Sequence, residues 1–245
     1  MTVSLLFFLG AVSVFPETAA IRVSDDLELI PLTDNCYIHI SYYDLKTSKH
    51  FPANGLVYVS GGQAVILDTP WTEEETRNLL DWVRNSLKVS IAAVVVTHWH
   101  IDCMGGLAEV HRRDIPSYSH VSTREIAKQK GLPVPAVGFA RKLTLRLGDN
   151  EIGCHYLGAG HTRDNIVVWI RGEKLLFGGC LLKARAWRGL GFTGDSNLPA
   201  WPKTLKKVLA AFTDAQVVIP GHGEPGTLDL IHHTLDLLKK HTGTH

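Results

Sequence analysis

The stretch THWHID, residues 97–102, sets His98, His100 and Asp102 at alternate positions directly behind the apolar run IAAVVV of residues 91–96. Neutral imidazole and carboxylate are ligands that zinc accepts at about 2.0–2.2 Å, and side chains two apart on an extended chain face the same way. By itself the pattern is as compatible with chance as with a metal site. Three more ligand types stand at the ends of apolar runs: His161 in GAGHTRDN, Cys180 in LLFGGC and His222 in VVIPGHGE. Glycines flank each of them and let the backbone turn sharply. Any one alone reads as a solvated loop histidine or a buried thiol. Four strand ends carrying ligands in one chain point jointly to a metal centre.

Such ligands need strands to carry them. Before the site the chain reads as a meander, LELIPL, CYIHISYY, GLVYVS and QAVILDTP, with PANG and SGGQ as the turns between strands. A helix follows, its start marked by a capping box of Thr72 and Glu75 and its apolar face by Leu79, Leu80, Val83 and Leu87. IAAVVV, with no polar alternation, is a strand covered on both faces. A further helix follows Gly105–Gly106, and Ser122 with Glu125 marks the start of a third. The second half has the same kind of patterning without the same residues. It reads as strands KLTLRL, EIGCHYL, NIVVWI and KLLFGG, a helix over 198–212, the strand AQVVIP and a closing amphipathic helix over 227–240. Strands, helix, strands, helix implies two packed sheets with helices outside, a four-layer α/β arrangement.

The 245 residues are 45% hydrophobic and 20% charged, with a formal net charge of +1. Such a chain buries a sizeable core, and without a long basic run it is not built for nucleic acid or an anionic membrane surface. It has no apolar run of about 18 residues that would span a bilayer. VSLLFFLGAVSVF followed by ETAA reads as a signal peptide over residues 1–20, cleaved after Ala20, although it lacks a basic residue at its start. The expected mature chain, 21–245, shows no linker and reads as one domain. Cys36 and Cys154 fall in strand-like runs and read as buried free thiols.

Taken in order, H-x-H-x-D, G-x-x-H-T-x-D-N, G-G-C-x-x-K and G-H-G resemble the metallo-β-lactamase superfamily, and within it the class B β-lactamases of the first subclass. The resemblance covers essentially the whole mature chain and implies the αββα sandwich with its site at one edge of the two sheets. It implies two zinc ions, one held by His98, His100 and His161, the other by Asp102, Cys180 and His222. It further implies that a zinc-activated hydroxide attacks the carbonyl of a β-lactam ring in penicillins, cephalosporins and carbapenems. Asp102 would orient that nucleophile or assist proton transfer, and Lys183 would hold the substrate carboxylate. Asp68 and Cys103 are expected to support the ligands without binding metal, Cys103 standing where related thioesterases carry a ligating histidine. The implied setting is the periplasm, the partner a small-molecule β-lactam, and the default state a monomer without a membrane anchor.

Two loops are expected to shape specificity. SYYDLKTSKHFPANG resembles a flap over the substrate, with Tyr42, Tyr43, Leu45 and Phe51 as contacts. On the opposite wall, members of the family usually place an asparagine twelve residues beyond the ligand cysteine, where this chain has Phe192. A phenyl ring cannot donate to an oxyanion, so Phe192 is expected to give apolar contact, with Asn197 as a second candidate to reach into the groove. Two other readings compete with this one. A glyoxalase-II-like thioesterase of the same fold is disfavoured by Cys103 and Cys180, and a zinc-carrying binding protein is disfavoured by Lys183.

Overall fold

Apolar patterning sorts the strands into two sheets that face each other. A computed structural model describes residues 19–243, so the leader reading falls outside the described residues apart from Ala19 and Ala20. The first half runs β1 (Ile21–Arg22), β2 (Leu27–Thr33), β3 (Cys36–Tyr43), β4 (Phe51–Ser60), β5 (Gln63–Leu67), α1 (Glu73–Asn85) and β6 (Ser90–Val95). It continues with α2 (Ile101–Met104), α3 (Leu107–Arg112), β7 (Ser117–His120), α4 (Val121–Gln129) and β8 (Val137–Phe139). The second half runs β9 (Lys142–Leu147), β10 (Asn150–His155), β11 (Val167–Ile170), β12 (Leu175–Gly179), α5 (Trp201–Ala211), β13 (Val217–Pro220) and α6 (Asp229–Thr242).

Strands β1 to β8 form one sheet in sequence order, and the second has the order β13-β12-β11-β10-β9. The alternation of side chains across a strand divides the core into three layers. On β4, Leu56 and Tyr58 enter the layer between the sheets, with Ile152, Val168 and Phe177 from the second sheet. Val57, between them, faces outward and packs with Leu79, Leu80 and Val83 of α1. Beyond the second sheet, Val167 and Leu176 pack with Trp201 and Leu205 of α5 and Ile231 of α6. Helix, sheet, sheet, helix is the architecture, as the order of elements implied. Each of these fully buried aliphatic side chains contributes on the order of 1.5–3 kcal/mol, and truncating Leu79 to alanine would cost about 2–5 kcal/mol.

Direction of travel brings the ligand-bearing loops together. β5 and β6 are parallel, as are β12 and β13. β10 and β12 are both antiparallel to β11 and therefore run the same way. The segments following β5, β6, β10, β12 and β13 thus emerge at matching ends of their sheets.

Three local expectations are corrected. PANG is not a turn: Pro52 to Gly55 lie within β4, opposite Tyr42 to His39 of β3. The reversal is at residues 44–50. Over 51–55, β4 has no strand on its other side, since β5 pairs only from Leu56 onward; the loop at Gly221 takes the Asn54 N–H there at 2.8 Å, and a proline without an N–H is tolerated. The third helix starts at Val121, before Ser122, because the His120 ring accepts from the Ser122 N–H at 3.2 Å and serves as cap. At α1 the Thr72 hydroxyl caps the Glu75 N–H at 3.1 Å. The return half of that capping box is missing, since the Glu75 carboxylate accepts from Ser24 instead.

Candidate metal centre

The chain leaves β6 at Thr97 and bends, with the Trp99 N–H donating to Asp164 at 3.0 Å. Alternation does not continue through the motif. Asp102 lies in the first turn of α2, with His100 as the residue before that helix, so the carboxylate leaves the alternating line, though it stays within 4.8 Å of a His98 nitrogen. His98 and His100 form one group with His161, and Asp102 joins another.

In the first group His98 Nε2 and His161 Nε2 lie 3.1 and 3.2 Å from His100 Nδ1. In the second, Cys180 Sγ lies 3.2 Å from Asp102 Oδ2 and 3.4 Å from His222 Nε2, and those two atoms are 3.2 Å apart. Ligand atoms about 2.0–2.3 Å from a tetrahedral zinc are separated by roughly 3.3–3.6 Å. Both groups come close to that spacing. Three imidazole nitrogens turned on one point cannot all be satisfied by protons placed between them, whereas a cation satisfies all three. The donor sets therefore fit a metal ion each: nitrogen alone in the first, and carboxylate, thiolate and imidazole in the second.

The charge states agree. Burial lowers His98 to about 3 and holds His161 well below its usual range, which keeps both rings neutral. In the second group the hydrogen bond with Cys103 draws Cys180 down to about 6, against burial. Burial would lower His222, but the Cys180 thiolate and the Asp102 carboxylate outweigh it and raise the ring to about 10. Asp102 likewise resists its burial and stays well below the carboxylate range, chiefly through the His222 hydrogen bond and the nearby His98. Without metal, the second group holds a thiolate and a carboxylate around one proton on His222.

Neighbours aim three of the candidate ligands, His222, His100 and His98. The His222 Nδ1–H donates to the Pro52 carbonyl at 2.7 Å, turning Nε2 toward Cys180. The His100 Nε2–H donates to Asp195 at 2.9 Å, directing Nδ1 at the cluster. Asp68, buried and in the left-handed region at φ 59°, accepts from the Thr97 N–H at 2.6 Å and the Thr97 hydroxyl at 2.7 Å. That hydroxyl is 3.3 Å from His98 Nδ1, so Asp68 reaches the ligands through Thr97. Cys103 Sγ also lies 3.3 Å from His98 Nδ1, on the ring edge facing away from His100. It falls within 4.8 Å of Cys180 and Asp102 as well. Gly221 makes the close approach possible, because a Cβ there would stand 2.4 Å from Cys180 Sγ.

Both groups border a cavity of about 810 Å³. Leu45 and Phe51 of the flap line it, with Trp71, Trp187, Lys183 and Phe192. Tyr42 and Tyr43 do not: Tyr42 stacks on His50 and bonds Glu28, and Tyr43 stacks on Trp71 behind the wall. Lys183 is buried, its Nζ 5.5 Å from the Trp187 ring and 5.6 Å from that of Trp201, and no carboxylate pairs with it among the described residues. Burial pulls its pKa down, while Cys180 and Asp102 oppose the shift. Phe192 is 64% exposed with its ring 5.8 Å from that of His100. Asn197 stands outside the cavity lining, its side-chain oxygen capping the Ala200 N–H at 3.0 Å ahead of α5. Asp195 and Thr97 carry no signal in the residue pattern, since neither is a ligand and both act only through contacts made by folding.

Comparison with known proteins agrees with this geometry. A family model described as the metallo-β-lactamase superfamily matches residues 49–222. A Bacteroides fragilis protein named metallo-β-lactamase type 2 is 40% identical over 222 residues, 91% of this chain and 89% of its own length. Metallo-β-lactamase IND-1 of Chryseobacterium indologenes is 31% identical over 98% of this chain and 100% of its own length. The solved structure of a metallo-β-lactamase from Pontibacter korlensis superposes with a TM-score of 0.84 at 36% identity, covering 87% of this chain and 99% of that one. A sandwich with two ligand groups at its edge, matched at these identities over nearly its whole length, belongs to the metallo-β-lactamase superfamily.

Proposed function

We propose that this chain hydrolyses the ring amide of β-lactam antibiotics, penicillins, cephalosporins and carbapenems among them, and so confers resistance to them. The observation that carries the reading is the pair of three-ligand groups on one cavity wall, with the buried Lys183 ammonium on the same wall. Three protein ligands in each leave coordination positions for water and substrate. Zinc held by the two groups would supply Lewis acidity and activate a water at neutral pH, so no serine nucleophile is needed.

The chain's own residues do the rest. Lys183 holds the substrate carboxylate as a point charge at the cavity wall. Asp102, held well below the carboxylate range, is a weak base and serves chiefly as an acceptor that orients the nucleophile. Phe51, Trp71 and Trp187 close one side against water, and Phe192 offers the substrate an apolar face in place of an amide donor. Asp68 and Cys103 fix His98 from behind. The thioesterase alternative expects a histidine ligand where Cys103 stands, and nothing in the second group lacks one.

The same reading has the chain exported to the periplasm by cleavage after Ala20 and acting there as a monomer with two zinc ions. Among the described residues no helix is long and apolar enough to cross a membrane. The test is incubation of the purified protein with a chromogenic cephalosporin, with and without a chelator. Turnover that the chelator abolishes and added zinc restores is expected; absence of turnover in the zinc-loaded protein refutes the reading.

A further inference from the structure

Apolar surface is not spread evenly around the cavity. The flap side lies at the Asp-Cys-His group: the Phe51 ring is 5.1 Å from that of His222 and 6.3 and 6.4 Å from Trp187 and Trp71. A second apolar wall lies at the three-histidine group. There the Trp99 ring is 4.5 Å from His100 and the Phe192 ring 5.8 Å from it, with Ile101 and Leu132 continuing the cavity lining. Among the described residues six large apolar side chains are exposed, and three of them, Phe192 at 64%, Ile101 at 52% and Leu132 at 37%, line this one wall. Apolar side chains exposed singly need no explanation, but a cluster beside a reactive centre does.

We infer that this wall is an aryl subsite, and that the enzyme favours β-lactams whose substituent ends in an aromatic ring reaching past the three-histidine group. The inference rests on the β-lactamase reading and names the substrates it prefers. Size and chemistry both support it. Sites for drug-sized ligands occupy about 300–1,000 Å³, and about 810 Å³ holds a bicyclic nucleus with a substituent beyond it. Two aromatic rings flanked by Ile101 and Leu132 offer edge and face contacts that an aryl group exploits better than a methyl group does. Lys130, with its Nζ 4.2 Å from the centre of the Trp99 ring, caps that ring with a cation. Phe192 packs edge-on to His100 without offering a ligand atom of its own, so its contribution falls on substrate binding.

The test uses the zinc-loaded enzyme and two penicillins with the same nucleus, one carrying a phenylacetyl group and the other an acetyl group. Wild-type kcat/KM should favour the phenylacetyl compound. That preference should fall roughly tenfold in Phe192→Ala, mainly through KM, as expected for loss of one aromatic contact and its buried area. Leu132→Ser, at the far end of the wall, should lower the same ratio by a smaller factor, and being partly exposed it does not threaten the fold. If wild type hydrolyses both compounds and the ratio holds in both variants, the aryl subsite falls and the β-lactamase reading stands. If wild type hydrolyses neither, both fall together.

Discussion

Asp195 accepts a hydrogen bond from His100 Nε2 at 2.9 Å, joining the loop beyond Cys180 to the first group of ligands across 95 residues of chain. The bond fixes which nitrogen of His100 faces His98 and His161. Removing such a partner typically weakens metal binding by about 10- to 100-fold. Asp195→Ala should therefore lose affinity at the three-histidine site by that factor, and Asp195→Asn, which can still accept, should lose less. Competition with a chromophoric chelator measures both. Equal affinities in wild type and Asp195→Ala would show that His100 is aimed by its surroundings alone.

Cys180→Ser should deplete the second site while sparing the first, because a neutral hydroxyl does not replace a thiolate. The three-histidine group contains no atom of Cys180. Elemental analysis after equilibrium dialysis is expected to find about one zinc per chain instead of about two, by the three-ligands-per-ion count. Two ions retained at undiminished affinity would remove Cys180 from the ligand set.

Lys183→Ala should raise KM more than it lowers kcat, since a charge that anchors the carboxylate acts in ground and transition states alike. Steady-state kinetics on several β-lactams tests this. An unchanged KM on all of them would place the ammonium outside the site.

Loading of the second site should release a proton, and the charge states of its ligands say from where. Cys180 is lowered to about 6 and is already a thiolate at neutral pH, and Asp102 is ionised. His222, raised to about 10, still carries its proton and must lose it to bind metal. At neutral pH, zinc uptake at this site should thus release about one proton, and affinity should climb as pH rises toward about 10, where His222 gives up its proton unaided. A pH-indicator titration in weak buffer counts the protons. Uptake without proton release at neutral pH would show that His222 is already neutral.

The elements most visible in the sequence are those with strong periodicity. CYIHISYY and KLTLRL are strands over the same residues as read, Cys36–Tyr43 and Lys142–Leu147. β7, four residues reading SYSH, carries no apolar alternation and is held as a strand by its parallel neighbours. PANG looks like a turn because its residues favour one, yet pairing with β3 and the Asn54 side chain keep it extended. The six ligand candidates are legible because metal chemistry restricts residue type and strand ends restrict position. Asp195, Thr97 and Leu132 leave no such mark: an aspartate in a loop, a threonine after a strand and an exposed leucine gain meaning only from what folding sets beside them.

The base of the flap also holds His222, a proposed metal ligand. The Pro52 carbonyl fixes the His222 ring, and the Asn54 side chain donates to the carbonyls of Pro220 and Gly223 on either side of it. Cavity-lining residues Leu45 to Ser48 lie at the tip of the same hairpin and make none of these bonds. The hairpin is therefore divided into an end free to vary and an end that is not. Substitutions at the tip can retune which drugs are held without disturbing the metals, whereas a change at residues 52–54 alters both at once. A lineage under shifting antibiotic pressure therefore has its easiest adaptive moves at four consecutive tip positions, Leu45 to Ser48.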